Sequence, residues 1–183
     1  MVLGLLVLFT GIIDGIDGAI ARLLDIKSKS GGWLDNVIDR VSDTLMLVCL
    51  IPNNFLVLSV FGLDFTWMAW TNILLIFIYE YMRARHEGLG LKETKPYIGE
   101  RITRIMIIGT FFLIYGFSSF TVLLTYLISP SATAIWTASH TGITIWCMLI
   151  YQISLLGIMI VSSIQLARYS YTQLKKMDEN KGE

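Results

Sequence analysis

The chain has 183 residues, 55% of them hydrophobic, and a mean hydropathy of +0.66. This apolar share is well above that of soluble domains and predicts a membrane protein. Fourteen basic and fourteen acidic residues give zero net charge, so no overall basic field indicates a nucleic-acid partner. Cys49 and Cys147 lie in apolar segments, without the spacing of a zinc site or a disulfide framework.

Five apolar stretches are long enough to cross a bilayer as helices, which takes about 20 residues each. They lie near residues 2–24, 33–52, 66–86, 101–128 and 141–168. Turn-forming residues separate them in IKSKSGG, EGLGLKETKPYIGE and SPSATAIWTASHTG. The short apolar segment from Pro52 to Asp64 predicts a re-entrant or interfacial connection, or an extension of a neighbouring helix. We therefore predict an all-α membrane bundle of five transmembrane helices over residues 1–174, followed by a polar cytoplasmic tail at 175–183.

The distribution of basic residues orients this bundle. If the five helices alternate in direction, the connections at 25–32 and 87–100 and the C-terminal tail lie on one side of the membrane. All fourteen Lys and Arg residues then belong to that side or to the helix ends that reach it. By the positive-inside rule this side is cytoplasmic.

The stretch DGIDGAIARLLDIKSKSGGWLDNVID, residues 14–39, places four aspartates at the cytoplasmic ends of the first two helices. Helical spacing puts Asp14 and Asp17 on one face, and Asp35 and Asp39 on another that can meet it. Four carboxylates at one membrane level repel one another, and one or two divalent cations would relieve that repulsion. Oxygen ligands favour Mg²⁺, Mn²⁺ or Ca²⁺ over zinc.

The alternative interpretation is a set of polar helix ends solvated by headgroup water. It suits a single residue, such as Asp25 or Asp43, better than four carboxylates at helical spacing on consecutive helices. Acidic residues within a membrane indicate a functional site by default. We therefore interpret the four aspartates as a metal site.

This region resembles the signature of the CDP-alcohol phosphatidyltransferases, through the pattern Asp14-x2-Asp17-Gly18-x2-Ala21-Arg22-x8-Gly31-x3-Asp35-x3-Asp39. These integral membrane enzymes move a phosphoryl-linked group from a CDP-alcohol to an acceptor alcohol and release CMP. The resemblance implies that the four aspartates hold two ions, Mg²⁺ or Mn²⁺, which bind the donor pyrophosphate. It implies that Asp39 is also the base that deprotonates the acceptor hydroxyl. The residues that it places against the CDP moiety are Asp14, Gly18, Ala21, Arg22 and Gly31.

A second group of charges surrounds the connection at 87–100. Arg83 and Arg85 lie at the end of one predicted helix, and Arg101 and Arg104 at the start of the next. Arginine binds phosphate through planar bidentate contacts, so the cluster predicts a phosphate pocket. Interfacial snorkelling is the alternative for any one of these arginines. Glu80, Glu87 and Glu100 are expected to pair with some of them and leave the others for substrate.

The same stretch is similar to the branch of the family that uses inositol 1-phosphate, the phosphatidylinositol-phosphate synthases and their archaetidyl counterparts. That resemblance implies that Arg83 and Arg104 hold the acceptor phosphate, with Arg168 as the candidate for a further arginine on the last helix. A phosphatidylglycerophosphate synthase, which uses glycerol 3-phosphate, is the second possibility. A cation channel or transporter is the non-enzymatic alternative, and it predicts acidic residues spread through the membrane depth.

The resemblance also implies a homodimer in the cell membrane, with a CDP-lipid donor, a phosphorylated polyol acceptor and an active site on the cytoplasmic side. Members of the family have one more transmembrane helix than this sequence provides, preceded by an interfacial helix. Because the signature begins at residue 14, we expect the native protein to begin several dozen residues upstream.

Overall fold

The computed structural model describes residues 2–24, 28–49, 51, 57–58, 63–91 and 97–179, and helices dominate this part of the chain. The helices are α1 (Val2–Leu23), α2 (Lys29–Val48), α3 (Thr66–Gly88), α4 (Arg101–Ile128) and α5 (Thr133–Glu179). A 3-10 turn, Pro130–Ala132, precedes α5. The predicted all-α architecture is confirmed, and α1, α3 and α4 lie where the apolar stretches predicted them.

Helix α2 begins earlier than predicted, inside the segment IKSKSGG. Ser28 has an extended backbone, and its side chain accepts a hydrogen bond of 3.0 Å from the backbone nitrogen of Gly31. This is the usual way in which a serine caps a helix, because it satisfies an amide that has no partner in the first turn. The turn-forming serines therefore start the helix, and α2 ends at Val48.

The connection between α2 and α3 contains a minimal pair of antiparallel strands, β1 (Val57–Leu58) and β2 (Leu63–Asp64). The Asp64 carboxylate then accepts a hydrogen bond of 2.8 Å from the backbone nitrogen of Thr66, where α3 begins. Residues 52–56 and 59–62 of the predicted re-entrant or interfacial segment lie outside the described residues.

The prediction of a connection at SPSATAIWTASHTG is wrong beyond its first few residues, because α5 begins at Thr133. Serine and threonine there bond back to their own helix: Thr137 donates to the Thr133 carbonyl at 2.9 Å and Ser139 to the Ile135 carbonyl at 3.0 Å. Such local bonds let turn-forming residues lie inside a helix. At the other end, α5 continues to Glu179, so residues 175–179 of the predicted polar tail are helical.

Helix α4 is the centre of the bundle. It packs against α1 on one side and α5 on the other, and α5 in turn packs against α3. Glycine permits the close approach of α1 and α4, since a Cβ atom on Gly4 would lie 2.7 Å from the backbone nitrogen of Leu113. Small residues commonly bring membrane helices together in this way. Helix α2 contacts α3 over a short stretch and enters the apolar core mainly through Leu47 near its C-terminal end.

Among the described residues, two helical stretches are long and apolar enough to cross a membrane, Arg101–Ile128 and Pro130–Glu179. Helices α1, α2 and α3 carry more charged residues than a typical spanning helix. Their charges include the predicted site, so hydropathy alone does not identify them as spans. The prediction that all five helices cross the membrane stays a prediction.

The close contact of α1 with α4 can be tested by substituting alanine for Gly4. The added methyl group meets backbone atoms, so we expect the free energy of unfolding to fall by about 1–3 kcal/mol. The matched control is Gly142→Ala on α5, where an added Cβ meets no atom within 4 Å. Thermal unfolding in detergent should show a lower midpoint for the first variant only, and equal midpoints would contradict this packing.

Candidate active site

A cavity of about 770 Å³ opens between α1, α2, α3 and α4, with Gly11 as the lining residue from α1. Its wall combines both signs of charge with aromatic side chains. The charged lining residues are Asp35, Asp39, Arg40, Glu80, Arg83, Glu87, Glu100 and Arg101, and the aromatic ones are Trp33, Phe77 and Tyr81. A mixed lining of this kind suits a ligand that carries both charge and polar groups.

Helix α2 supplies the two described aspartates of the predicted signature. Asp35 and Asp39 lie one helical turn apart and both line the cavity. Asp35 is exposed, whereas the side chain of Asp39 is only 13% exposed. The helical spacing puts both carboxylates on one face of α2, as predicted, and that face lines the cavity.

Helix α1 carries the other half of the signature. The structure places Asp14, Asp17, Gly18, Ala21 and Arg22 on this helix and does not describe their side chains. The predicted meeting of the two aspartate pairs therefore lies outside the described side chains.

The donor chemistry of α2 fits a hard divalent cation, because Asp35 and Asp39 offer carboxylate oxygens at the cavity wall. Within the side chains that the structure describes, no group of three or more His, Cys, Asp or Glu residues forms a metal site. Two of the four predicted ligands, Asp14 and Asp17, are not among those side chains. The metal site therefore stays a prediction.

Arg101 connects Asp39 to the next turn of α2. Its Nη1 lies 2.8 Å from Asp39 Oδ1, and its Nε lies 3.4 Å from Asp43 Oδ1. Its Nη2 also donates to the Ser42 hydroxyl at 3.4 Å. One guanidinium group at the start of α4 thus bridges two carboxylates on the same face of α2.

Arg104 lies deeper, with only 5% of its surface exposed. Its Nη2 donates to Asp43 Oδ2 at 2.7 Å and to Glu80 Oε1 at 3.0 Å, while its Nη1 donates to the Gly99 carbonyl at 2.7 Å. Gly99 is itself held by a hydrogen bond of 2.8 Å from its nitrogen to the Ser162 hydroxyl on α5. Arg104 therefore holds α2, α3 and the connection before α4 together through hydrogen bonds to all three.

Arg83 is more accessible than Arg104 and lines the cavity. It pairs with Glu100 at 2.9 Å and with Glu87 at 3.5 Å. The predicted pairing of Glu80, Glu87 and Glu100 with members of the arginine cluster is confirmed.

Arg85 and Arg168 are exposed, and no ion pair within the described residues joins either of them to a carboxylate. The five arginines predicted for the acceptor phosphate thus occupy three settings. Arg83 and Arg101 lie in the cavity wall, Arg104 lies in the interior, and Arg85 and Arg168 are at the surface.

The interpretation of Asp43 as a solvated helix-end residue is wrong, because this residue is only 6% exposed and contacts three arginines. Its position four residues after Asp39 continues the face of Asp35 and Asp39, which is the signal that could have identified it. Arg40 also belongs to this group, through a contact of 2.8 Å with Glu80. Asp25 lies outside the described residues.

Comparison with known proteins tests the family resemblance of the aspartate pattern. The sequence model of the CDP-alcohol phosphatidyltransferase family matches residues 1–153, which is most of the chain. The chain belongs to this family. Proteins of the CDP-alcohol phosphatidyltransferase family are membrane-associated transferases, and the resemblance carried by the aspartate pattern is therefore confirmed.

Archaeal proteins are among the curated relatives that the chain matches. The archaetidylinositol phosphate synthase of Methanothermobacter thermautotrophicus is 36% identical over 99 residues, which is 54% of this chain and 46% of the relative. The archaetidylinositol phosphate synthase of Pyrococcus horikoshii is 31% identical over 105 residues, 57% of this chain and 52% of the relative. A bifunctional IPC transferase and DIPP synthase of Archaeoglobus fulgidus is 47% identical over 47 residues, 26% of this chain and 10% of the relative.

The chain thus spans about half the length of the two archaetidylinositol phosphate synthases that it matches. No solved structure matches it significantly.

The buried position of Arg104 predicts a large effect on stability. Arg104→Met removes the shortest ion pair of the buried Asp43, at 2.7 Å, and one of the arginines that contact Glu80, so we expect a loss of about 3–5 kcal/mol in the free energy of unfolding. Arg85→Met is the matched control, because this arginine is exposed and its loss should have little effect. Thermal unfolding of both variants in detergent checks this, and an unchanged midpoint for the Arg104 variant would show that the carboxylates do not depend on it.

Proposed function

We propose that this protein transfers a phosphatidyl or archaetidyl group from a CDP-lipid to inositol 1-phosphate, with release of CMP. The observation that carries the proposal is the placement of Asp35 and Asp39 one turn apart in the wall of a large cavity, which Arg83 and Arg101 also line. Membership of the CDP-alcohol phosphatidyltransferase family and the printed names of the archaeal relatives support the reaction and the acceptor.

In this proposal Asp14, Asp17, Asp35 and Asp39 hold two Mg²⁺ or Mn²⁺ ions. When bound, the ions supply positive charge at the attacking and leaving oxygens. The acceptor hydroxyl oxygen bonds to the phosphorus that carries the lipid, the bond from that phosphorus to CMP breaks, and the hydroxyl proton passes to Asp39. Positioning and electrostatics carry most of the catalysis in such transfers. The residues assigned to the CDP moiety are Asp14, Gly18, Ala21, Arg22 and Gly31.

The acceptor is proposed to bind with its phosphate against Arg83 and Arg101, because these arginines line the cavity. The phosphate would take over contacts that Arg83 makes with Glu87 and Glu100. Those carboxylates are then able to accept hydrogen bonds from polyol hydroxyls.

The remaining arginines differ in how they reach an acceptor. Arg85 and Arg168 lie at the surface, and Arg104 is buried behind the cavity wall. All three are assigned to the same acceptor phosphate. We further propose that all five helices span the cell membrane, that the cavity faces the cytoplasm and that the protein is a homodimer.

The proposed reaction predicts metal-dependent release of CMP. Purified protein supplied with a CDP-lipid should release CMP with inositol 1-phosphate and Mg²⁺ or Mn²⁺, and only at background rate when the metal is chelated. Asp39→Asn should lower kcat about 100- to 10,000-fold, because the base and a metal ligand are lost. Release without metal, or an active Asp39→Asn variant, would contradict the mechanism. A preference for glycerol 3-phosphate would replace the acceptor and keep the reaction class.

Arg83 offers a test of the acceptor site. Arg83→Gln should raise the KM for inositol 1-phosphate at least about tenfold and leave the KM for the CDP-lipid nearly unchanged, since a charged phosphate contact is lost. Lys175→Gln is the control, because Lys175 is exposed and pairs only loosely with Glu179, at 3.8 Å. An equal change in both KM values would remove Arg83 from the acceptor site.

A further inference from the structure

Asp43 is a buried carboxylate with no role in the signature of the family. It lies one turn after Asp39 on α2 and is 6% exposed. Arg104 contacts it at 2.7 Å, Arg101 at 3.4 Å and Arg40 at 3.6 Å. A carboxylate so far from water is stable in its charged form only when arginines surround it in this way.

Glu80 on α3 completes the group that surrounds Asp43. Its Oε1 forms an ion pair with Arg40 Nη1 at 2.8 Å and accepts a hydrogen bond of 3.0 Å from Arg104 Nη2, and its side chain is 11% exposed. Asp43, Glu80, Arg40, Arg101 and Arg104 therefore form one charge cluster that joins α2, α3 and α4. We call these five residues the arginine–carboxylate cluster.

The arginine–carboxylate cluster attaches α2 to the bundle, because the N-terminal half of this helix lacks apolar packing. The N-terminal half of α2, which carries Asp35, is exposed, and apolar side chains such as Trp33 and Leu34 there are also exposed. Burial begins one turn after Asp39, at Asp43 and then Leu47. The position of Asp39 therefore depends on its own contact with Arg101 and on the contacts that Asp43 makes one turn later.

Arg101 links the cluster to the predicted metal ligand. Its guanidinium group is shared between Asp39, at 2.8 Å, and Asp43, at 3.4 Å. Without the Asp43 carboxylate, Arg101 would lose one of the acceptors that share its charge, and it would compete more strongly with a cation for Asp39. The charge of Asp43 thus weakens the hold of Arg101 on Asp39.

We propose that Asp43 is a positioning residue that holds α2 and Arg101 so that Asp39 can bind the catalytic divalent cation. This inference rests on the proposed function, because Asp39 is assigned there as a metal ligand. Asp43 itself contacts neither substrate nor metal in this account. It acts through Arg101 and Arg104, and its loss weakens metal binding at Asp39.

The test is Mn²⁺ binding to the full chain in detergent, measured by electron paramagnetic resonance without any lipid substrate. Asp43→Asn keeps the shape and removes the charge, so we expect the Mn²⁺ dissociation constant to rise about tenfold. The Mn²⁺ concentration needed for half-maximal CMP release should rise by the same factor, and excess Mn²⁺ should restore most of kcat.

The matched control is Asn72→Leu, which disturbs a different buried polar contact. Asn72 is fully buried and donates to Gln152 Oε1 at 2.6 Å, between α3 and α5. This variant should lower the unfolding temperature and leave the Mn²⁺ dissociation constant unchanged. An equal loss of Mn²⁺ affinity in both variants would reduce Asp43 to a general stabilising residue and overturn the proposal.

Unchanged Mn²⁺ affinity in Asp43→Asn also overturns it. If that variant does not fold, Glu80→Gln tests the same cluster from α3, with an expected rise of about threefold in the Mn²⁺ dissociation constant because its contact with Arg101 is indirect. An unchanged Mn²⁺ dissociation constant in Glu80→Gln overturns the proposal too.

A wild-type protein that binds Mn²⁺ at Asp39 without releasing CMP would refute the proposed function alone, whereas absence of Mn²⁺ binding would refute both proposals.

Discussion

The constraint on which the rest of this structure depends is that every charge buried by α2 needs a counter-charge from another helix. An isolated carboxylate within an apolar bundle is costly, and Asp43 has almost no access to water. Arg104 and Arg101 from α4, together with Arg40, meet that need, and Glu80 from α3 balances the surplus positive charge. The position of α2 follows from these contacts more than from apolar packing.

That constraint connects the fold to the site. Helices α1, α4, α5 and α3 pack through small and apolar residues, as membrane bundles do. Helix α2 adds the two described aspartates of the family signature at the cavity wall, and the arginine–carboxylate cluster holds it one turn further along. The proposed reaction centre thus lies at the edge of the apolar core, in the wall of the cavity.

The sequence predicted the helices well where a long apolar run was the dominant signal. The apolar run of α4 and its bounds at Arg101–Ile128 were predicted correctly, because the long apolar run outweighs its two isolated glycines, Gly109 and Gly116. The start of α5 was predicted wrongly. Serine and threonine hydroxyls can donate to a helix carbonyl four residues back as well as to a turn, so these residues do not distinguish a helix from a turn. The start of α2 was missed for a related reason, because Ser28 acts as a cap.

The aspartate pattern could be recognised from the sequence because its residues lie close together along the chain. The family could be predicted from the same pattern. The partners of Asp43 were not readable, because Arg101 and Arg104 lie about sixty residues away along the chain. Only the packing of α2 beside α3 and α4 brings those charges together, and no spacing rule predicts such a contact.

The central claim is that Asp35 and Asp39 bind the catalytic metal while Asp43 retains its arginines. The most direct measurement is an experimental structure with Mn²⁺, in which anomalous scattering locates the ion. The account predicts an ion within about 2.0–2.6 Å of oxygens of both Asp35 and Asp39, with Arg104 still bonded to Asp43. An ion bound away from Asp39, or coordinated by Asp43, would contradict it.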